Sequence, residues 1–108
     1  MTGVQTCALP ISDVAATRGA TYWDPLATLA FIAGRTSRIR LATSVLVLGY
    51  HHPLEIAKRY GTLDQVSGGR LILGVGVGSL REEFDLLGAA WDDRGARADE
   101  AMTALRAA

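Results

Sequence analysis

Several things are scarce in this 108-residue chain, and each scarcity excludes something. Cysteine occurs once, at Cys7, so no disulfide can close within the chain and no Cys-x-x-C pair exists for thiol redox chemistry. Eleven basic residues balance eleven acidic ones, which leaves no electrostatic case for nucleic acid or an anionic membrane surface. No stretch approaches the roughly 18 consecutive apolar residues of a membrane span. The G-x-x-x-x-G-K-[ST] phosphate loop is absent, and no His, Cys, Asp and Glu spacing makes a metal site, so no metal is expected. Lysine is nearly missing too. Apart from Lys58 every basic residue is Arg, a bias that sits beside abundant Ala and Gly and says little about chemistry.

The first twelve residues, MTGVQTCALPIS, lack charge altogether. They carry no positive start and no unbroken apolar stretch of roughly 7–15 residues, so they do not read as a secretory signal. Thr2 to Ile11 resemble the conceptual translation of a sequencing-library adapter, residue for residue. Residues 1–12 are therefore expected to be non-native and without a role in the fold, and the gene-derived sequence is expected to begin at Asp13.

What is present alternates. "DPLATLAFIAGRTS" predicts a helix, with Asp24 as N-cap, Pro25 at the first helical position and an apolar stripe of Leu26, Leu29, Ala30 and Ala33. "IRLATSVLVL" predicts a strand buried on both faces. "HHPLEIAKRYGTLDQVSGG" predicts a second helix, with Ile56, Tyr60 and Leu63 on one face and Gly68-Gly69 as the stop. "RLILGVGVG" predicts a second strand. "SLREEFDLLGAAWDDRG" reads as a connection holding one short helix. "ARADEAMTALRAA" reads as a third helix with Ala98, Met102 and Leu105 in register. Strands separated by helices of this length imply an α/β fold with a parallel sheet. Periodicity does not separate a barrel from a doubly wound sheet.

Gly74, Gly76 and Gly78 alternate, so they share one face of their strand. They fail the dinucleotide fingerprint, because the sixth position is Ser79 or Arg81 where a third Gly is required. Two readings of them remain. The missing side chains clear a flat space for a planar ring at the C-terminal end of the strand, where ligands bind in parallel α/β folds. Alternatively, they fit a crowded barrel interior. Thr43 and Ser44 interrupt the other strand and either bond to neighbouring backbone or line a ligand site. His51 and His52 read as a helix-cap pair, and Glu82, Glu83 and Asp85 as a solvated helix face. Trp23 and Trp91 are expected to pack locally. "LDQVSGGR" contains Ser and Asp but no base at a useful spacing, so nucleophilic catalysis has no support.

Taken together, "WDPLATLAFIAGRTSRIRLATSVLVL", "HPLEIAKRYGTLDQVSGGRLILGVGVG", "EEF" followed by "LG", and "RGARADEAM" resemble the bacterial luciferase-like monooxygenase superfamily of flavin- or deazaflavin-dependent oxidoreductases. The strongest block is Leu63 through Gly78. The resemblance implies that residues 13–108 are a fragment of a (β/α)8 TIM barrel, truncated at both ends: a helix-strand-helix-strand-helix slice around the third and fourth strands. It implies FMN or coenzyme F-420 at the C-terminal mouth, with Thr43, Ser44, Val45, Gly76, Val77 and Gly78 beside the cofactor and a non-proline cis peptide at Ser44–Val45. Hydride transfer with coenzyme F-420 is the favoured chemistry, and monooxygenation with reduced FMN and O2 the alternative. An inactive fragment or a small binding module is the alternative of another class. A small-molecule substrate, a cytoplasmic location and a parent open to homo-oligomerisation go with the enzymatic reading. Two departures matter. Ser79 stands where some deazaflavin dehydrogenases carry an acid, so no catalytic residue is assigned. Ala42 replaces a common Gly. The histidine that family members often carry after the second strand would lie upstream of Asp13.

Overall fold

The computed structural model describes residues 22–108; the expectations for residues 1–12 lie outside them. Helix α1 spans Pro25–Arg35. Its start is fixed locally, as expected: Asp24 Oδ2 accepts from the Ala27 amide at 2.7 Å, and Pro25 occupies the first turn, where no intrahelical donor is needed. Leu29 is its buried anchor, with Leu26, Ile32 and Ala33 packed around the same cluster. Ala30 departs from the predicted stripe and is exposed.

The first strand comes in two short stretches, β1 (Leu41–Ala42) and β2 (Leu46–Val47), followed by a 3-10 turn at Leu48–Tyr50. Helix α2 spans Pro53–Val66. His52 caps it, its Nδ1 accepting from the Leu54 amide at 3.2 Å, and Gly68 and Gly69 end it with φ of 75° and 78°. The second strand is likewise split into β3 (Leu71–Ile72) and β4 (Val75–Gly76). Helix α3 spans Arg81–Leu87 and closes on Gly88 in the left-handed region, and helix α4 spans Arg94–Ala107.

Pairing is parallel throughout. Leu41 lies opposite Leu71, and Leu46 opposite Val75. Thr43, Ser44 and Val45 thus face only Leu73 and Gly74 across the pair, which leaves one extra residue on the first strand and makes a bulge. The bulge is held by the Gly74 carbonyl, which accepts from the Leu46 amide at 2.8 Å and from Thr43 Oγ1 at 2.7 Å.

The helices cover one face of this strand pair. Leu46 packs with Leu48, Ile56, Tyr60, Ala98 and Ala101, while Leu41 packs with Leu29 and Leu63. Burial of these side chains is the main stabilising term, at about 25 cal/mol per Å² of apolar surface. The opposite face carries Ala42, Val45 and Ile72, and Ile72 is 46% exposed. Around Ala42, Val45 and Ile72 the strands are therefore covered on one side only, whereas at β2 both Leu46 and Val47 are buried, so the two-sided burial expected from the apolar sequence is met there alone. The shape agrees, with Cα extents of 38 × 34 × 15 Å, a shallow slab of one helix layer on one strand layer.

Candidate functional site

Two segments meet beside one another and hold all six candidate residues: Thr43–Val45, the bulge in the middle of the first strand, and Gly76–Gly78, at the C-terminal end of the second. Their roles differ. Thr43 is buried and spends its hydroxyl on the Gly74 carbonyl, which is the structural of its two readings. Ser44 and Val45 turn outward, and the peptide between them is cis, as the resemblance implied. Val45 is 41% exposed and Val77 is 42% exposed, so both offer apolar surface to whatever lies over this end.

The glycines divide as well. A Cβ on Gly74 would lie 2.2 Å from the Thr43 carbonyl oxygen, so the bulged backbone itself occupies that space. One on Gly76 would lie 2.7 Å from Val45 Cγ2, the tip of an exposed side chain. One on Gly78 would lie 2.6 Å from Phe84 Cε2, and Gly78 has φ of 99°. Close packing thus explains glycine at positions 74 and 78 without a ligand. Only at Gly76 is the neighbouring atom one that can rotate away.

Behind these segments sits a group of residues that sequence reasoning missed. Phe84 is fully buried and meets Tyr50 and Trp91 edge-on, at ring-centroid distances of 4.9 and 5.3 Å. Its ring also closes on Gly49, where an added Cβ would lie 2.9 Å from Cε1. Glu83 is 8% exposed and accepts a hydrogen bond from the Tyr50 hydroxyl, whereas Glu82 and Asp85 are exposed. The solvated-face reading therefore holds for two of these acids and fails for the buried one. The "EEF" triplet was visible in sequence, but nothing local marked which acid turns inward. Arg94 stacks on Trp91 with its Cζ 3.6 Å from the ring centroid, and its Nε donates to the Gly78 carbonyl at 3.1 Å. Trp91 thus packs locally as expected, while Trp23 is 57% exposed.

His51 follows the 3-10 turn at this same end. Burial lowers its pKa from the ordinary 6.5; Glu55 pulls it back up, Arg59 lowers it and Asp24 raises it. Among the described residues no group of three His, Cys, Asp or Glu side chains is placed to hold a metal ion. None of the described helices is long and apolar enough to cross a membrane.

The opposite end of the strands is built differently. Arg70, just before β3, donates from Nη2 to the Ala33 and Thr36 carbonyls at 2.9 and 3.2 Å. Its Nη1 donates to Thr36 Oγ1 and the Ile39 carbonyl at 2.9 and 3.2 Å, and its Nε to the Ser67 carbonyl at 2.7 Å. Asp64 Oδ1 accepts from the Leu71 amide at 3.2 Å. Asp64, Ser67 and Arg70 thus close the start of the second strand, which accounts for these three polar residues of "LDQVSGGR" without chemistry.

Known proteins are similar to this chain. The 4-hydroxyprotoasukamycin monooxygenase of Streptomyces nodosus subsp. asukaensis is 47% identical over 68 residues, covering 63% of this chain and 18% of that protein. The phthiodiolone/phenolphthiodiolone dimycocerosates ketoreductase of Mycobacterium tuberculosis is 40% identical over 85 residues, covering 79% of this chain and 22% of that protein. The crystal structure of monooxygenase RslO1 from Streptomyces bottropensis superposes with a TM-score of 0.73 at 40% identity, over 77% of this chain and 25% of that one. The chain spans about a quarter or less of the length of each. The luciferase-like monooxygenase family model matches residues 11–108, and the chain belongs to that family.

Proposed function

We propose that residues 22–108 form part of a (β/α)8 barrel oxidoreductase, and that the segments Thr43–Val45 and Gly76–Gly78 lie against the planar ring of a flavin or deazaflavin. The observation that carries this reading is the outward-facing Ser44 and Val45 on the bulge of the first strand, beside Val77 at the C-terminal end of the second, the end of a parallel sheet where ligands bind. These residues suit such a group. Val45 and Val77 give apolar contact, Gly76 leaves backbone accessible, and the Ser44 hydroxyl is exposed for a polar ring edge. The cofactor would supply two-electron redox chemistry; this chain would position the ring and exclude water from one face of it.

Two reactions fit. The names of the Streptomyces relatives favour monooxygenation with reduced FMN and O2, ahead of the coenzyme F-420 preference that the sequence alone suggested. The ketoreductase, which covers more of this chain, keeps hydride transfer with coenzyme F-420 as the second reading. The experiment is to express the full reading frame that contains these residues and titrate it with FMN and with coenzyme F-420. Micromolar binding of FMN, with oxygen uptake when it is reduced, is the expected result. Preference for coenzyme F-420 without oxygen uptake would select the second reading, and binding of neither would overturn both.

A further inference from the structure

The two segments that line the candidate site come from different strands, and their separation has to be set by something. Among the described residues, helix α3 bridges them through two adjacent side chains. Phe84 fits between Gly49, beyond the first strand, and Gly78, beyond the second; an added Cβ at either would lie 2.9 or 2.6 Å from its ring. Glu83 then ties the same helix to Tyr50 through the tyrosine hydroxyl. A buried carboxylate is costly without a partner, and neighbouring Glu82 and Asp85 show that this seven-residue helix has solvent available for acids. An inward acid here needs a specific reason, and the bond from Tyr50 supplies it.

We propose that Glu83 and Phe84 are positioning residues for the ring site: Phe84 sets the gap between the two strand exits, and the Glu83–Tyr50 bond sets the height of one exit against the other. Neither residue is among those proposed to line the ring; both would act through the backbone that does, Phe84 at Gly49 and Gly78 and Glu83 through Tyr50. The inference rests on the cofactor reading above and adds to it which residues hold the site's shape.

The test uses the protein expressed from the full reading frame, with FMN and coenzyme F-420 as probes. Each variant is titrated with both and melted without cofactor. E83A is expected to weaken binding about tenfold or more, since hydrogen bonds to charged groups are among the stronger ones. E83Q keeps an acceptor for the tyrosine and is expected to stay within about threefold. Y50F removes only the hydroxyl, so it should reproduce E83A even if E83A folds poorly, and the Y50F/E83A double variant should be no weaker than the worse single one. The bound ring's visible absorption should shift in Y50F and return to normal in E83Q, a change that a purely structural role would not produce. Unimpaired binding and an unchanged spectrum in Y50F would overturn the positioning role while leaving the cofactor reading intact. So would E83Q binding as weakly as E83A. Failure of the unsubstituted protein to bind either cofactor would overturn the cofactor reading, and the positioning role with it.

Discussion

The two ends of the strand pair are stabilised in opposite ways. At the N-terminal end one cation, Arg70, reaches four residues: Ala33 on α1, and Thr36, Ile39 and Ser67 on two connections. At the C-terminal end aromatic rings and glycines fill the space, a carboxylate is turned inward, and apolar side chains are left facing outward. Self-sufficient hydrogen bonding describes the first end; shape-setting around an open surface describes the second. The difference teaches where to look for function. The end that satisfies itself is a brace, and the end that leaves valines uncovered is a candidate for binding.

The largest expected effect lies at the brace. Arg70→Met removes every donor of the guanidinium and strands the Ala33, Thr36, Ile39 and Ser67 carbonyls. A loss of about 3 kcal/mol is expected, read by chemical denaturation, because partly buried acceptors lose their partners together. Arg70→Lys should recover less than half of it, since an ammonium cannot span a fork of acceptors. Cofactor affinity of the folded fraction should not change. If it fell in step with stability, the two ends would not be separable in the way described.

At the other end Gly76 and Gly78 should part company, although their alternation in sequence suggested a common role. Gly78→Ala meets both Phe84 and an unfavourable left-handed backbone, and should cost about 2 kcal/mol of stability. Gly76→Ala meets only Val45, which can rotate into solvent; it should cost less than about 1 kcal/mol yet weaken cofactor binding, since the added methyl enters the space proposed for the ring. Thermal melts of the cofactor-free protein alongside FMN titrations separate the two. Equal stability losses at both positions would return Gly76 to a packing role.

The smallest effect concerns pH. The lowered His51 pKa means that the folded state binds the proton less readily than the unfolded state does. Stability from this residue is therefore fully present above the ordinary value of 6.5 and is lost as pH falls through the lowered folded value. A His51→Gln variant should flatten the stability profile just below neutrality. A profile identical to that of the unsubstituted protein would show that burial of His51 contributes nothing there.

Local signals in the sequence were enough for the helix boundaries. Asp24-Pro25, His52-Pro53 and Gly68-Gly69 each act within a turn of their own position, so no knowledge of the rest of the chain was required. The bulge was only half visible: Thr43 and Ser44 broke the apolar run, but an extra residue can be counted only against a partner strand. The inward turn of Glu83 was invisible, because its partner Tyr50 lies 33 positions away on another strand's exit. Arg70 was missed for the same reason, its acceptors on the first helix and the connection after it lying 31 to 37 positions upstream. The six candidate residues came from family resemblance, and chain geometry then distinguished those that face outward from Thr43, which does not.

The extra residue at Thr43–Val45 also acts as a phase change along the first strand. Before it, odd-numbered Leu41 is turned to the helices; after it, even-numbered Leu46 is. The second strand keeps one phase, with Leu71, Leu73 and Val75 all on the helix side. Deleting any single residue between Ala42 and Leu46 would therefore be more than a local shortening. The stretches on either side could no longer both keep their hydrophobic residues on the covered face, and half of the strand would have to present leucine to water. Length variation that a surface loop absorbs without consequence is closed to this segment.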